Sequence, residues 1–247
     1  MFLLSLKKNL ASNIREKNEM KSYKKYMAEL VGTFALVFVA AGSVCADFYL
    51  RQAGGQGLGL LGISIAFGVV VTAVIYAMSY ISGAHVNPAV TISFWITRRM
   101  DPNTAIMYII SQIAGATLAG LALKTLFPDA IKTVYLGTCM LAPGVSTARG
   151  ILMEFIITFL LVFTIYGTLI DKRASAGFAG VAIGFVVLIG SLIGGTISGG
   201  GANPVRVFGP AIASGQFTHH YVWWVGPILG GIAAAFVYDK LFAESRK

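Results

Sequence analysis

The chain has 247 residues, 56% hydrophobic and 12% charged, with a formal net charge of +9 and a mean hydropathy of +0.76. Soluble domains carry roughly 25% charged residues. This composition therefore excludes an ordinary water-soluble globule, a disordered chain and, despite the basic excess, a nucleic-acid binder.

In chain order, residues 1–25 form a basic arm without the apolar core of a secretory signal. Asp, Glu, Lys and Arg are then absent from Leu30–Ala46, Gln52–Thr97, Pro102–Leu123, Phe155–Ile170, Ala174–Val205 and Val207–Tyr238. A membrane-spanning helix needs roughly 20 apolar residues. The stretch Gln52–Thr97 is too long for one span and too short for two with a loop. It contains Ser82-Gly83-Ala84-His85-Val86-Asn87-Pro88, which breaks a helix; proline belongs in a first turn. Ser198-Gly199-Gly200-Gly201-Ala202-Asn203-Pro204 breaks the later stretch in the same way.

The pattern predicts full helices near Tyr26–Phe48, Gly57–Ile81, Pro102–Phe127, Thr147–Ile170, Gly177–Ser198 and Tyr221–Phe242, with half-helices over 87–97 and 203–213. This is an all-α membrane protein of six transmembrane helices plus two half-helices. Residues 26–127 form a first repeat, 128–146 an extracellular connecting loop, 147–242 a second repeat and 243–247 a cytoplasmic tail. With both termini inside, 14 Lys and Arg fall on the inner side and 4 on the outer. That is the positive-inside bias, and it accounts for the net charge. Anionic lipid headgroups are the natural partner of the basic arm.

The chain is internally duplicated. Ala28-Glu29-Leu30-Val31-Gly32-Thr33-Phe34 resembles Met153-Glu154-Phe155-Ile156-Ile157-Thr158-Phe159, and Asn87-Pro88 recurs as Asn203-Pro204. Three spans per half make the second half enter from the opposite face. Inverted repeats place a site near the midplane, at the broken helices.

Each half-helix presents N–H groups and a partial positive charge at its amino end. The Asn87 and Asn203 amides add donors there. The carbonyls of Gly83, Ala84, His85 and Val86 and of Gly199, Gly200, Gly201 and Ala202 must be buried or line a wet cavity. Carbonyl acceptors leading to two Asn donors suit a neutral hydrogen-bonding solute, and two converging positive ends oppose cations and protons. Arg206, past Asn203, reads as a pathway-lining donor that also repels cations. Glu29 and Glu154 read as carboxylate braces that accept backbone N–H bonds, with Thr33 and Thr158 one turn on; the alternative is a pair of proton carriers. His85 reads as a loop anchor of the inner vestibule, or as a pH gate. Trp223 and Trp224 fit an aromatic belt, and Gly180-x-x-x-Gly184, Gly190-x-x-x-Gly194 and Gly226-x-x-x-Gly230 fit helix-packing faces. Cys45 and Cys139 are too few for a disulfide framework or a Cys-based zinc site. No metal-ligand spacing joins His219 and His220. The sequence calls for no catalytic residue, metal or cofactor.

From Lys24 onward the chain resembles the aquaporin, or major intrinsic protein, family, as a water channel of prokaryotic type. Ser82 to Thr91 is similar to the family's first Asn-Pro-Ala box, with Asn87, Pro88 and Ala89 at the constriction. Gly201 to Arg206, followed by Gly209-Pro210-Ala211, is similar to the second, with Asn203 and Pro204; Val205 replaces the usual Ala and adds bulk beside the constriction. By spacing from the asparagines, the resemblance places the selectivity filter on Phe67, Ser191, Gly200 and Arg206. Ser191 stands where water-specific members usually carry His, which implies a wider filter. Val207 stands where glycerol channels usually carry Asp, and Ala211 where they favour a basic residue. The resemblance implies a passive channel of the plasma membrane, not an enzyme. It would conduct water and small uncharged solutes such as glycerol, hydrogen peroxide or ammonia, exclude protons and ions, and assemble as a homotetramer. The alternatives are a glycerol facilitator, a secondary transporter and a membrane scaffold.

Overall fold

A computed structural model describes residues 2–175 and 177–243, with side chains from Ser22 onward. The described residues form eight helices and no strand: α1 (Phe2–Gln52), α2 (Gly59–Ser82), α3 (Pro88–Ile96), α4 (Pro102–Leu126), α5 (Thr147–Ile165), α6 (Ala179–Gly194), α7 (Pro204–Ser214) and α8 (Val222–Leu241). A π turn, Tyr166–Ile170, prolongs α5. Five helices are long and apolar enough to cross a membrane: the Ser22–Gln52 part of α1, α2, α4, α5 with its π turn, and α8. The sixth, α6, is apolar but has 16 residues. It stops short of the expected Ser198 because Gly194 meets the pore loop: a Cβ there would lie 2.8 Å from the Gly200 Cα. Helix α1 runs further back than expected, through the arm. The arm charges Lys7, Lys8, Arg15, Lys17 and Lys21, and the tail charges Arg246 and Lys247, lie outside the described side chains.

Local chemistry sets the helix starts. Asp101 caps α4 by accepting from the Thr104 N–H at 2.9 Å, with Pro102 in the first turn. Asn87 and Asn203 cap the two half-helices, each followed by proline. Gly83 closes α2 in the left-handed conformation at φ 90°.

The packing repeats across the two halves. Helix α1 lies on α4 as α5 lies on α8, and α2 crosses α6 between the halves. A Cβ on Gly115 of α4 would strike the Leu30 carbonyl of α1, and one on Gly230 of α8 would strike the Phe155 carbonyl of α5. These are the same contact in each repeat. Small residues allow such backbone approach where no hydrophobic force separates protein from lipid. The α2–α6 crossing is equally close, with Gly68 set against the Gly184 carbonyl. Each half-helix packs chiefly on the last span of the other half, α3 on α8 and α7 on α4, so the duplicated units interlock.

Candidate functional site

The two half-helices meet amino end to amino end. Asn87 Nδ2 donates to the Ala202 carbonyl at 2.9 Å, and Asn203 Nδ2 donates to the Val86 carbonyl at 2.8 Å. Each Asn oxygen accepts from its own helix: Asn87 from Ala89 N–H at 2.9 Å, Asn203 from Val205 N–H at 3.1 Å. Every side chain is thus pinned at both ends. An amide NH2 carries two hydrogens, so each Asn keeps one for a solute.

The loops feeding these helices are strained. Ala84, Val86 and Ala202 lie at φ 49°, 41° and 51°, unusual for side-chain-bearing residues and most of all for a β-branched valine. Two buried acids hold them. Glu29 accepts from Ser82 Oγ (2.7 Å), His85 N–H (2.9 Å), Val86 N–H (2.7 Å) and Gln112 Nε2 (2.8 Å). Glu154 accepts from Ser198 Oγ (2.6 Å), Gly201 N–H (3.0 Å) and Ala202 N–H (2.7 Å). All these partners are donors, which is the surrounding of a carboxylate. Val86 and Ala202 therefore each donate an N–H to a Glu and accept through their carbonyl from the opposite Asn. The hydroxyls of Thr33 and Thr158 have no partner among the described residues and take no part.

A cavity of about 220 Å3 approaches this meeting point. It runs from Leu169 and Ile170 past His85 and Val90 to both asparagines and Phe67; Gly83, Ala84, Gly201 and Ala202 also border it. Among the described residues no Asp or Glu lines it. Pro88, Ala89, Pro204 and Val205 are buried and stand off it, so the extra methyls of Val205 enter the core instead of narrowing the cavity. His85 Nδ1 is 3.2 Å from Thr91 Oγ1, and its ring packs on Phe94 and Tyr108.

Of the expected filter residues Phe67 borders the cavity, while Ser191, Gly200 and Arg206 do not; the structure pairs Arg206 with Phe67 and Gly200 with Ser191. The Arg206 guanidinium lies 5.8 Å from the Phe67 ring centre. Gly200, at φ 64°, backs onto α6: a Cβ there would meet the Ser191 Cα at 2.9 Å. Its missing side chain would therefore have pointed into helix packing, so it widens nothing by itself. Arg206 is buried; Nη1 donates to the Gly137 carbonyl at 2.6 Å and Nη2 to the Ala40 carbonyl at 3.3 Å, while the buried Nε has no partner among the described residues.

Several supporting residues escaped the sequence reading. Tyr108 OH donates to the Ser82 carbonyl at 2.7 Å, and Trp223 Nε1 to the Ser198 carbonyl at 2.9 Å. Trp223 is 1% exposed, so it is a buried loop anchor and not part of an aromatic belt. The pairs Ser82/Ser198 and Tyr108/Trp223 sit at offsets of 116 and 115, and extending the repeat would have found them. The Gly137 carbonyl comes from the connecting loop, where Tyr135, Leu136 and Gly137 take φ of 49°, 53° and 76°.

Interlocked inverted halves, with two half-helices meeting end to end beside an acid-free cavity, define a membrane channel. The sequence profile described as Major intrinsic protein matches residues 16–238, and the chain belongs to that family. It is 39% identical over 230 residues to aquaporin TIP4-4 of Zea mays, covering 92% of this chain and 90% of that one. It is 38% identical over 229 residues to aquaporin A of Dictyostelium discoideum, covering 91% and 81%. Nothing in these plant and Dictyostelium relatives supports the prokaryotic type. The X-ray structure of the aquaglyceroporin from Plasmodium falciparum shares the fold, with a TM-score of 0.79 and 23% identity over 89% of this chain and 96% of that one.

Proposed function

We propose that the chain conducts water passively, that small uncharged solutes share the path, and that protons and ions are excluded. The observation that carries this reading is the reciprocal Asn87–Ala202 and Asn203–Val86 exchange. It fixes two helix amino ends and two spare amide hydrogens at the end of the cavity. A water there accepts from the asparagines, which points its own hydrogens away from the positive ends and interrupts a proton wire. In this reading Phe67, Ser191, Gly200 and Arg206 form the filter. The buried Arg206 charge, 5.8 Å from the ring centre of the cavity-lining Phe67, repels cations. Glu29 and Glu154 brace the loops.

The transporter alternative needs a titrating group on the path. The buried acids accept four bonds (Glu29) and three bonds (Glu154), all from donors, and stand off the cavity. The small Ser191 side chain favours some glycerol flux. The site is a plasma-membrane channel with both termini cytoplasmic, assembled as a homotetramer. Proteoliposomes under an osmotic step, with a pH-sensitive dye inside, test the reading. Fast, non-saturating water flux with negligible proton entry is expected. Proton entry comparable to water flux, or saturating transport coupled to an ion gradient, refutes it.

A further inference from the structure

Three polar contacts converge on the hydroxyl of Thr91, which is completely buried near the start of α3. Gln112 Nε2 lies 3.0 Å from Oγ1, the Asn87 carbonyl 3.1 Å and His85 Nδ1 3.2 Å. Each contact needs one hydrogen. The Gln112 nitrogen brings its own, and this amide cannot turn over, because Nε2 also donates to Glu29 Oε2 at 2.8 Å. A carbonyl brings none, so the single hydrogen of Thr91 goes to Asn87. His85 is left facing a Thr91 lone pair, and Nδ1 must supply the hydrogen of that contact. Were Thr91 to donate to Nδ1 instead, its oxygen and the Asn87 carbonyl would face each other at 3.1 Å with no hydrogen between them.

In a neutral imidazole, a hydrogen at Nδ1 leaves a lone pair at Nε2. His85 borders the cavity. Its Nε2 has no partner among the described residues and is not one of the fully enclosed polar atoms. Gly83, which borders the same cavity, leaves that nitrogen uncovered: a Cβ there would lie 3.4 Å from Nε2. We propose that Thr91 is a positioning residue that fixes the tautomer of His85, so that the cavity offers a solute an acceptor at this point and not an N–H donor. A solute then donates to His85 on one side of the asparagines and accepts from their amides. Molecules that carry both an O–H or N–H and an acceptor, such as water and small alcohols, are the class this station serves. The proposal rests on the channel reading above and names the solute chemistry of that same cavity.

The test is solid-state NMR of the full chain in lipid bilayers at neutral pH, with isotope-labelled histidine and no polyhistidine tag. The chain has 3 histidines, and His219→Gln together with His220→Gln leaves His85 alone. Nδ1 should resonate as a protonated, pyrrole-type nitrogen. Nε2, identified by its bond to Cδ2, should resonate as an unprotonated, pyridine-type nitrogen and receive magnetisation from mobile water. Thr91→Val removes the acceptor and should replace this single pattern by a mixture of tautomers. Thr91→Ser keeps the hydroxyl and should retain the wild-type pattern, which a role in packing alone would not require. A protonated Nε2 in the wild type, no transfer from water, or an unchanged pattern in folded Thr91→Val overturns the proposal. If Thr91→Val does not fold, the spectrum with Thr91 in place decides by itself. Osmotic water flux is measured on the same vesicles: its absence refutes the channel reading, whereas the wrong tautomer with normal flux refutes only the station.

Discussion

Replacing Glu154 separates a structural acid from a proton carrier. Oε1 accepts from Ser198 Oγ and Gly201 N–H, and Oε2 from Ala202 N–H. In Glu154→Gln one oxygen becomes an NH2. Placed at the Oε1 end, it can donate to Ser198, whose hydroxyl turns to the Gly194 carbonyl 3.4 Å away. Gly201 N–H is then stranded. Placed at the Oε2 end, it strands Ala202 N–H instead. Either way one buried backbone donor is lost, at about 1–3 kcal/mol. Glu154→Ala strands both, about 2–6 kcal/mol on the same scale, which is a large share of a typical stability of roughly 5–15 kcal/mol. The assay is thermal unfolding in detergent, followed by tryptophan fluorescence because Trp223 holds the same loop, alongside water permeability from pH 5 to 8. Glu154→Gln should melt lower with an unchanged pH profile, and Glu154→Ala should give little folded protein. A Gln variant of normal stability whose transport has lost or gained pH dependence would refute the bracing argument and favour proton handling.

Gly137→Ala puts a Cβ against the Ala41 carbonyl and 2.9 Å from the Ala41 Cα, at φ 76°; the left-handed conformation alone costs about 1–2 kcal/mol. Melting temperature and water flux should both fall as the Arg206 acceptor shifts, and a variant like wild type in both would show that this turn does not place Arg206. Ser191→His should narrow the filter and suppress glycerol more than water in paired permeability measurements; equal losses would contradict the wide-filter reading. Asp171 is held well below the usual carboxylate range, first by the Arg173 side chain beside it and then by the Arg173 N–H and Tyr238 OH. A depressed pKa contributes stability above the ordinary carboxylate value of about 4 and loses it as pH falls further into acid. The tie from Arg173 to the Phe242 carbonyl at the end of α8 should therefore persist at neutral pH. Asp171→Asn should loosen it and speed tryptic cleavage at Lys172 and Arg173; unchanged cleavage would count against the tie.

What could be read from the sequence was whatever local chemistry and duplication dictate. Asn at the N-cap followed by Pro in the first turn favours a helix start, so both half-helices were legible to within a residue. The paired acids were legible because the repeat marked them. The residues that escaped act across the fold. Ser64, Gln112 and Trp223 are a serine, a glutamine and a tryptophan in apolar helices, and only the packing of α2 on α6, and of α4 and α8 on the loops, gives them partners. The same distinction separates scaffold from selectivity. Duplicated features make the site two-fold: Glu29 and Glu154, Asn87 and Asn203, Tyr108 and Trp223. The departures break it. Gln112, which adds a donor to Glu29, has Pro227 at the matching offset of 115, and Arg206 has Val90 at 116. Val90 gives the cavity an apolar wall, while Arg206 sets a buried cation beside Phe67. In the proposed channel a solute crossing the two-fold centre meets the same backbone geometry twice but the Arg206 charge once, so the proposed discrimination between solutes belongs to that unduplicated side.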